Sequence, residues 1–206
     1  DADMSDHLDA DVMLKSVLER IAPLPASEFD YLRRHTELRT YSAGGTLLDI
    51  GERPSRFWFL LSGFLKFFYI TEGGREYIKA FTRPGEIAVP LSALLTNSPN
   101  GFAIVAVSEA RTLTLPSSII PELYDRHPVW ERIGRVLAEQ MAVRKEARER
   151  ELLLDSAFVR FQRFSERYPE LVEWIPQREI ASYIGVSEQA LSRLLREKRD
   201  RHLNEG

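Results

Sequence analysis

Cysteine is absent from the 206 residues, which removes structural disulfides, thiolate zinc sites, cysteine-ligated iron–sulfur clusters and thiol redox sensing together. Histidine is scarce. His7, His35, His127 and His202 fall in different segments, without paired spacing or a carboxylate cluster beside them, so no metal, haem or other cofactor is expected. No apolar run approaches the ~18 residues of a membrane span. The start, DADMSDHLDADV, is acidic and has no basic segment ahead of an apolar one, so a cytoplasmic chain without a membrane partner is expected. No nucleophile–base–acid set stands out and the strand-like runs have no histidine-rich lining, so no catalytic residue is assigned and the chain is not expected to be an enzyme. An excess of positive charge is missing too. The net charge is −3 and the sequence pI near 5.9, which speaks against a nucleic-acid partner unless the positive charge is segregated.

It is segregated, between Arg193 and Arg201. The stretch Gln177 to Arg196, QREIASYIGVSEQALSRLLR, reads as a helix-turn-helix. Ala181 stands where two helices cross too closely for a larger side chain, Gly185 where the chain must turn, and Leu191 points back into the gap. Ile180, Ile184, Val186, Leu194 and Leu195 supply further apolar contacts, and Ser187 is suited to cap the second helix. With Ala190, Leu191, Leu194 and Leu195 turned inward, the outer stripe is Gln189, Ser192, Arg193 and Arg196. Gln pairs with adenine, Arg pairs with guanine through two hydrogen bonds, and Ser is permissive, so the stripe suits a major groove. The expected interface comprises Arg178, Ser187, Glu188, Gln189, Ser192, Arg193 and Arg196, with Lys198, Arg199 and Arg201 extending toward phosphates. The competing reading is an amphipathic helix pair with a solvated charged face.

A chain that is 44% hydrophobic and 29% charged can bury one or two cores. Val12 to Ile21 and Ser27 to Arg34 have helical spacing around the breaker Pro23-Leu24-Pro25. From Leu38 to Leu115 short apolar runs alternate with turns: Thr46–Ile50, Phe57–Leu61, Phe64–Thr71, Tyr77–Phe81, Ala103–Val107 and Arg111–Leu115. That spacing predicts an antiparallel sandwich or roll, with one helical turn inserted near Leu91 to Leu95. The aromatic set Phe57, Trp58, Phe59, Phe64, Phe67, Phe68 and Phe81 reads as core filling for such a roll rather than a ligand box. After Pro116 the helical period returns, with Ser117 or Ser118 as a cap for Ile119 to Tyr124, and a long helix runs from Pro128 to about Glu151. Its stripe of Trp130, Ile133, Val136 or Leu137, and Gln140 or Met141 has nearly heptad spacing. It either pairs with its own copy or packs on the sheet. Leu152 to Asp155 mark a joint, after which Phe158, Phe161, Phe164 and Tyr168 open the C-terminal part.

This order resembles the Crp/Fnr transcription regulators from about Val12 onward. The landmarks are Gly51-Glu52, Leu60-Leu61-Ser62-Gly63, the hairpin Gly73-Gly74-Arg75-Glu76, Pro84-Gly85-Glu86, Gln140-Met141-Ala142, and Ile180-Ala181 through Gly185-Val186-Ser187 to Leu191-Ser192-Arg193. The resemblance implies an α+β chain: an N-terminal jelly-roll β-roll of the cyclic-nucleotide-binding type over 1–127, a dimerisation helix over 128–151, and an all-α helix-turn-helix domain over 152–206. It further implies a homodimer built along Trp130, Ile133, Leu137 and Met141, reading palindromic double-stranded DNA, with RNA polymerase as a further partner and an unnamed small-molecule effector. Two departures qualify it. Members that bind cyclic AMP carry a Gly-Glu-Leu triplet and an Arg-Ser pair for ribose and phosphate, where this chain has Val89-Pro90-Leu91 and Asn100-Gly101. Arg148-Glu149 replaces small hydroxyl residues near the base. A buried phosphate would lose its paired guanidinium, so Val89, Pro90, Leu91, Asn100, Gly101 and Arg148 line a degenerate pocket and no response to cyclic AMP is expected, with Gly44, Gly45 or Arg111 as the candidates for substitute contacts. Asp200 to Gly206, seven mostly polar residues, do not suffice for the β-hairpin wing that usually follows. The alternative in another class is a ligand-binding β-roll whose helix-turn-helix mediates protein contacts.

Overall fold

The computed structural model describes the backbone of residues 2–204 and the side chains of residues 6–197. In chain order the elements are α1 (Ala2–Glu19), α2 (Ala26–Arg33), β1 (Glu37–Tyr41), β2 (Thr46–Leu48), β3 (Arg56–Ser62), β4 (Leu65–Ile70), β5 (Glu76–Thr82), β6 (Ile87–Ala88), α3 (Leu91–Thr96), β7 (Ala103–Ala106), β8 (Ala110–Pro116), α4 (Ile119–Arg126), α5 (Pro128–Leu154), α6 (Ala157–Arg167), α7 (Pro169–Trp174), α8 (Gln177–Ile184) and α9 (Glu188–Asn204). This is the α+β class expected, with eight strands in two antiparallel four-stranded sheets of order β1-β8-β3-β6 and β2-β7-β4-β5. By packing, the chain forms one unit of residues 1–69 and 80–141 and a second of 70–79 and 142–206.

In the first unit the strand alternation sorts two cores. On β3, Phe57, Phe59 and Leu61 face helices α1, α2, α4 and the start of α5, meeting Leu14, Leu18, Phe29, Leu32 and Ile119. Trp58 and Leu60 face the other way, into the space between the sheets, against Leu48, Leu65, Phe67, Phe102 and Ile104. The aromatic set therefore fills cores: Trp58 and Phe59 are 2% and 1% exposed. A glycine is required between β3 and β4. Gly63 has φ +80°, and a Cβ there would lie 2.2 Å from the Glu109 carbonyl. Among the described residues no helix is long and apolar enough to cross a membrane.

The long helix corrects one expectation. Trp130 and Ile133 are each 3% exposed and belong to the helix-facing core of the first unit, with Leu137 packed partly against it. Trp130 also donates its indole N–H to Glu28 at 3.0 Å, and Arg126 donates twice to the same carboxylate at 3.1 Å. Trp130 and Ile133 are held inside their own chain and are not free to meet a second copy, whereas Leu137 and Met141 are half-buried. Burial opposes the Glu28 charge, but the Trp130 and Arg126 hydrogen bonds outweigh it and hold its pKa below the ordinary carboxylate value. His127, just ahead of Pro128, caps the same helix: its Nδ1 accepts from the Val129 amide at 3.0 Å, which places the ring proton on Nε2.

Candidate nucleic-acid interface

The helix-turn-helix closes as its residue types require. Ile180, Ala181, Ile184 and Leu191 are buried between α6, α8 and α9. Gly185 ends α8 in the left-handed region at φ +77°, its amide bonding the Ala181 carbonyl at 2.9 Å, and the Val186 amide bonds the same carbonyl at 3.0 Å. The Ser187 hydroxyl then accepts from the Ala190 amide at 3.1 Å and starts α9. With Leu191 fully buried, helical periodicity turns Gln189, Arg193 and Arg196 out to solvent and leaves Ser192 half-buried on the same face.

Gln177, Glu188, Gln189, Ser192, Arg193 and Arg196 line one shallow concavity. Five of these were named from the sequence. Gln177 was not, and its position as the first residue of α8 was the available signal, because a helix start lends its free amides to an anion. Arg178 and Ser187 are exposed beside this face. Lys198, Arg199 and Arg201 lie on the last turns of α9, and their side chains fall outside the described residues. Helix α9 continues to Asn204.

Behind this face lies a buried ionic cluster. Glu151, on the last turns of α5, is 3% exposed. Arg167 of α6 donates to it at 2.7 Å and passes its other branch to the Tyr183 hydroxyl of α8 at 2.9 Å. Arg148 stacks over the Tyr183 ring at 3.9 Å, donates to the Tyr183 carbonyl and lies 3.8 Å from Glu151. Burial lowers the Arg148 pKa, and the Arg167 charge adds to that against the opposing pull of Tyr183 and Glu151. Burial acts on Arg167 in the same direction, but Tyr183 and Glu151 overcome it and raise its pKa. Arg148 is thus a correction to the expected effector pocket. Its guanidinium is committed to the Tyr183 ring, since a cation on an aromatic face and a carbonyl is better placed than one in an apolar roll.

The other expected pocket residues form a closed corner of the roll. Pro90 is fully buried ahead of α3, with Val89 and Leu91 half-buried on either side. Asn100, 2% exposed, exchanges backbone hydrogen bonds with the opposite turn: the Gly51 amide to its carbonyl and its amide to the Glu52 carbonyl, both 2.7 Å. Its side-chain amide donates to the Phe102 carbonyl, and Gly101 beside it is exposed. Phe102 stacks on Phe67 with centroids 5.3 Å apart. Arg53 of that turn is spent on the Asn97 carbonyl. The substitutes are occupied as well, with Arg111 paired to Asp6 at 3.0 Å and the Gly44 amide bonded to Ala106 at 2.8 Å.

The cyclic nucleotide-binding domain family matches residues 38–127. Among solved structures, a Crp/Fnr-family transcriptional regulator from Eubacterium rectale superposes with a TM-score of 0.71 at 13% identity, over 86% of this chain and 85% of that one. The c-di-GMP-responsive global regulator CLP of Xanthomonas campestris gives 0.70 at 15% identity, over 87% and 94%. The catabolite activator protein of Thermus thermophilus gives 0.55 at 24% identity, over 90% and 88%. No curated protein matches the sequence. The resemblance read from the landmarks is therefore borne out in the fold: a β-roll of the cyclic-nucleotide-binding type and the Crp/Fnr order of elements.

Proposed function

We propose, from a fold that belongs among those of the Crp/Fnr transcription regulators, that this chain is a sequence-specific DNA-binding regulator acting as a homodimer on inverted repeats, without a response to cyclic AMP. The observation that carries the reading is the exposed stripe Gln189, Arg193 and Arg196 on a helix whose opposite side is locked into a closed helix-turn-helix. A merely solvated face would not need the αL glycine, the serine cap and the buried Ala181 crossing that aim it. A dimer of such helices spaces its half-sites by about one DNA turn, roughly 34 Å. The filled interior of the roll, and the loop around Asn100 that bonds back onto Gly51 and Glu52, support the absence of a cyclic AMP response.

Arg193 and Arg199 separate base reading from phosphate contact. Arg193→Ala is expected to cost about 1–3 kcal/mol per half-site on the preferred duplex and much less on scrambled DNA, because a bidentate base contact discriminates. Arg199→Ala is expected to weaken both duplexes alike and to flatten the salt dependence, since a phosphate contact releases counterions without reading sequence. Anisotropy titrations at two salt concentrations on duplexes selected from a random pool measure both. Equal losses for Arg193→Ala on the two duplexes would show that α9 does not read bases.

A further inference from the structure

We infer that Glu151 is the positioning residue that fixes the DNA-reading helices to the end of α5, so that the last turns of α5 and the helix-turn-helix move as one body; the inference rests on the DNA-binding reading above. Glu151 is the hub of three helices. Its carboxylate accepts from Arg167 of α6 at 2.7 Å, and both Arg167 and Arg148 continue to Tyr183 of α8, one to the hydroxyl and one to the ring face and carbonyl. Tyr183 is held on its remaining sides by Phe164 at 5.2 Å and Tyr168 at 5.9 Å between centroids.

The charge count makes the carboxylate indispensable to this geometry. The buried guanidinium of Arg148 and the half-buried one of Arg167 share one buried carboxylate, and Arg148 leaves Nε and Nη1 without hydrogen-bond partners. Removing that carboxylate would leave the buried Arg148 cation facing Arg167 without the charge between them, which is more costly than losing an exposed pair. The joint expected from the sequence at Leu152 to Asp155 is braced in the same way. The Asp155 amide bonds the Glu151 carbonyl at 3.1 Å, its carboxylate meets Arg163 at 2.9 Å and its carbonyl accepts from Arg160 at 2.8 Å. Leu152 sets its Cδ2 3.3 Å from where a Cβ on Gly185 would be. Bending between α5 and the reading helices would have to break this set at once. In a dimer, the separation of the two recognition helices is then fixed by α5, and the protein discriminates between half-site spacings because of Glu151.

The test compares Glu151→Gln with wild type and with Glu149→Gln, an exposed neighbour on α5. Three duplexes are used: the selected inverted repeat, the same half-sites moved apart by two base pairs, and a single half-site. Wild type and Glu149→Gln are expected to prefer the selected spacing by about 10-fold or more, whereas Glu151→Gln falls to within about 2-fold while its single half-site affinity stays within about 3-fold of wild type. Retained spacing preference in Glu151→Gln, or a parallel loss on the single half-site, overturns the inference. A readout without DNA separates the two proposals: in wild type the amides of residues 145–154 and 177–184 exchange hydrogen as one cooperative set, and in Glu151→Gln they split. Failure of wild type to bind any duplex sinks the regulator reading, and independent exchange of the two segments in wild type sinks the positioning role.

Discussion

Lys79 shows how burial and a like charge act on one residue. In the second unit, burial lowers its pKa to about 8, with repulsion from Lys145 on α5 adding to the shift, against an ordinary value of 10.5. The folded pKa lies below the unfolded one, so the unfolded chain holds the extra proton between the two values. Stability therefore rises as pH climbs from about 8 toward about 10.5, and the penalty is present in full below that window. Lys79→Met is expected to raise the melting temperature at pH 7 and to lose that advantage above pH ~10.5. Lys145→Gln should move the Lys79 midpoint upward in an NMR titration, and a wild-type midpoint near the ordinary lysine value would overturn the account. Glu28 runs the opposite way: its lowered pKa gives stability that is present at neutral pH and lost as pH falls through the folded value. None of this was legible in the sequence. Glu28, Lys79, Arg148 and Glu151 sit in helices and strands as ordinary charged residues, and only the partner brought from elsewhere in the chain, such as Arg167, Tyr183 or Trp130, decides which of them are buried.

Elements were legible where one residue type had a steric reason to be there. The Ala181, Gly185, Ser187 and Leu191 spacing placed both helices of the recognition unit, and turns rich in glycine and proline placed six of the eight strands. Strand β1, Glu-Leu-Arg-Thr-Tyr, has no clean alternation, and β6 has two residues, so pairing with β8 and β3 rather than pattern makes them strands. Helix α1 starts ten residues ahead of Val12, because its acidic beginning reads as solvent-loving. At Gly185 an alanine would be held at φ +77° with its Cβ 3.3 Å from Leu152, a cost of about 1–2 kcal/mol from the left-handed backbone. Ser187→Ala removes the cap of α9 for about 1 kcal/mol. Both losses should appear in the chemical denaturation midpoint of the C-terminal helices. Gly63→Ala should be worse than either, since the obstacle at 2.2 Å is backbone that cannot step aside. A Gly185→Ala midpoint at or above wild type would show that the turn is not strained as described.

At the scale of the molecule, the order of elements carried the most information and the packing of the long helix the least. The heptad-like stripe at Trp130 and Ile133 was real, but its partner is the core of its own chain, and periodicity cannot tell a second copy from a sheet. The effector question turns on the same kind of filling. Calorimetric titration with cyclic AMP is expected to give no heat of binding at physiological concentrations, and a micromolar dissociation constant would require the Asn100 corner to open. For the proposed homodimer, α5 has another face on which a second copy could pack. Val136, Gln140, Val143, Ala147, Arg150 and Leu154 recur at alternating four- and three-residue steps on this helix, the spacing of a two-stranded coiled coil. Val143 and Leu154 on it are 66% and 72% exposed, and they are the apolar side chains this stripe would bury in the proposed dimer. The neighbouring charges Arg144, Lys145 and Glu146 flank the stripe and leave its centre to Val143 and Ala147. Val143→Asp is therefore expected to weaken dimerisation by at least about tenfold, or ~1.4 kcal/mol, with little change in the melting of the β-roll. Leu137→Asp should do the reverse, lowering the melting temperature through the core it packs against. Sedimentation of both variants at micromolar concentration reads the difference, and a Val143→Asp protein that sediments as the wild type would rule this stripe out as the contact of the proposed dimer.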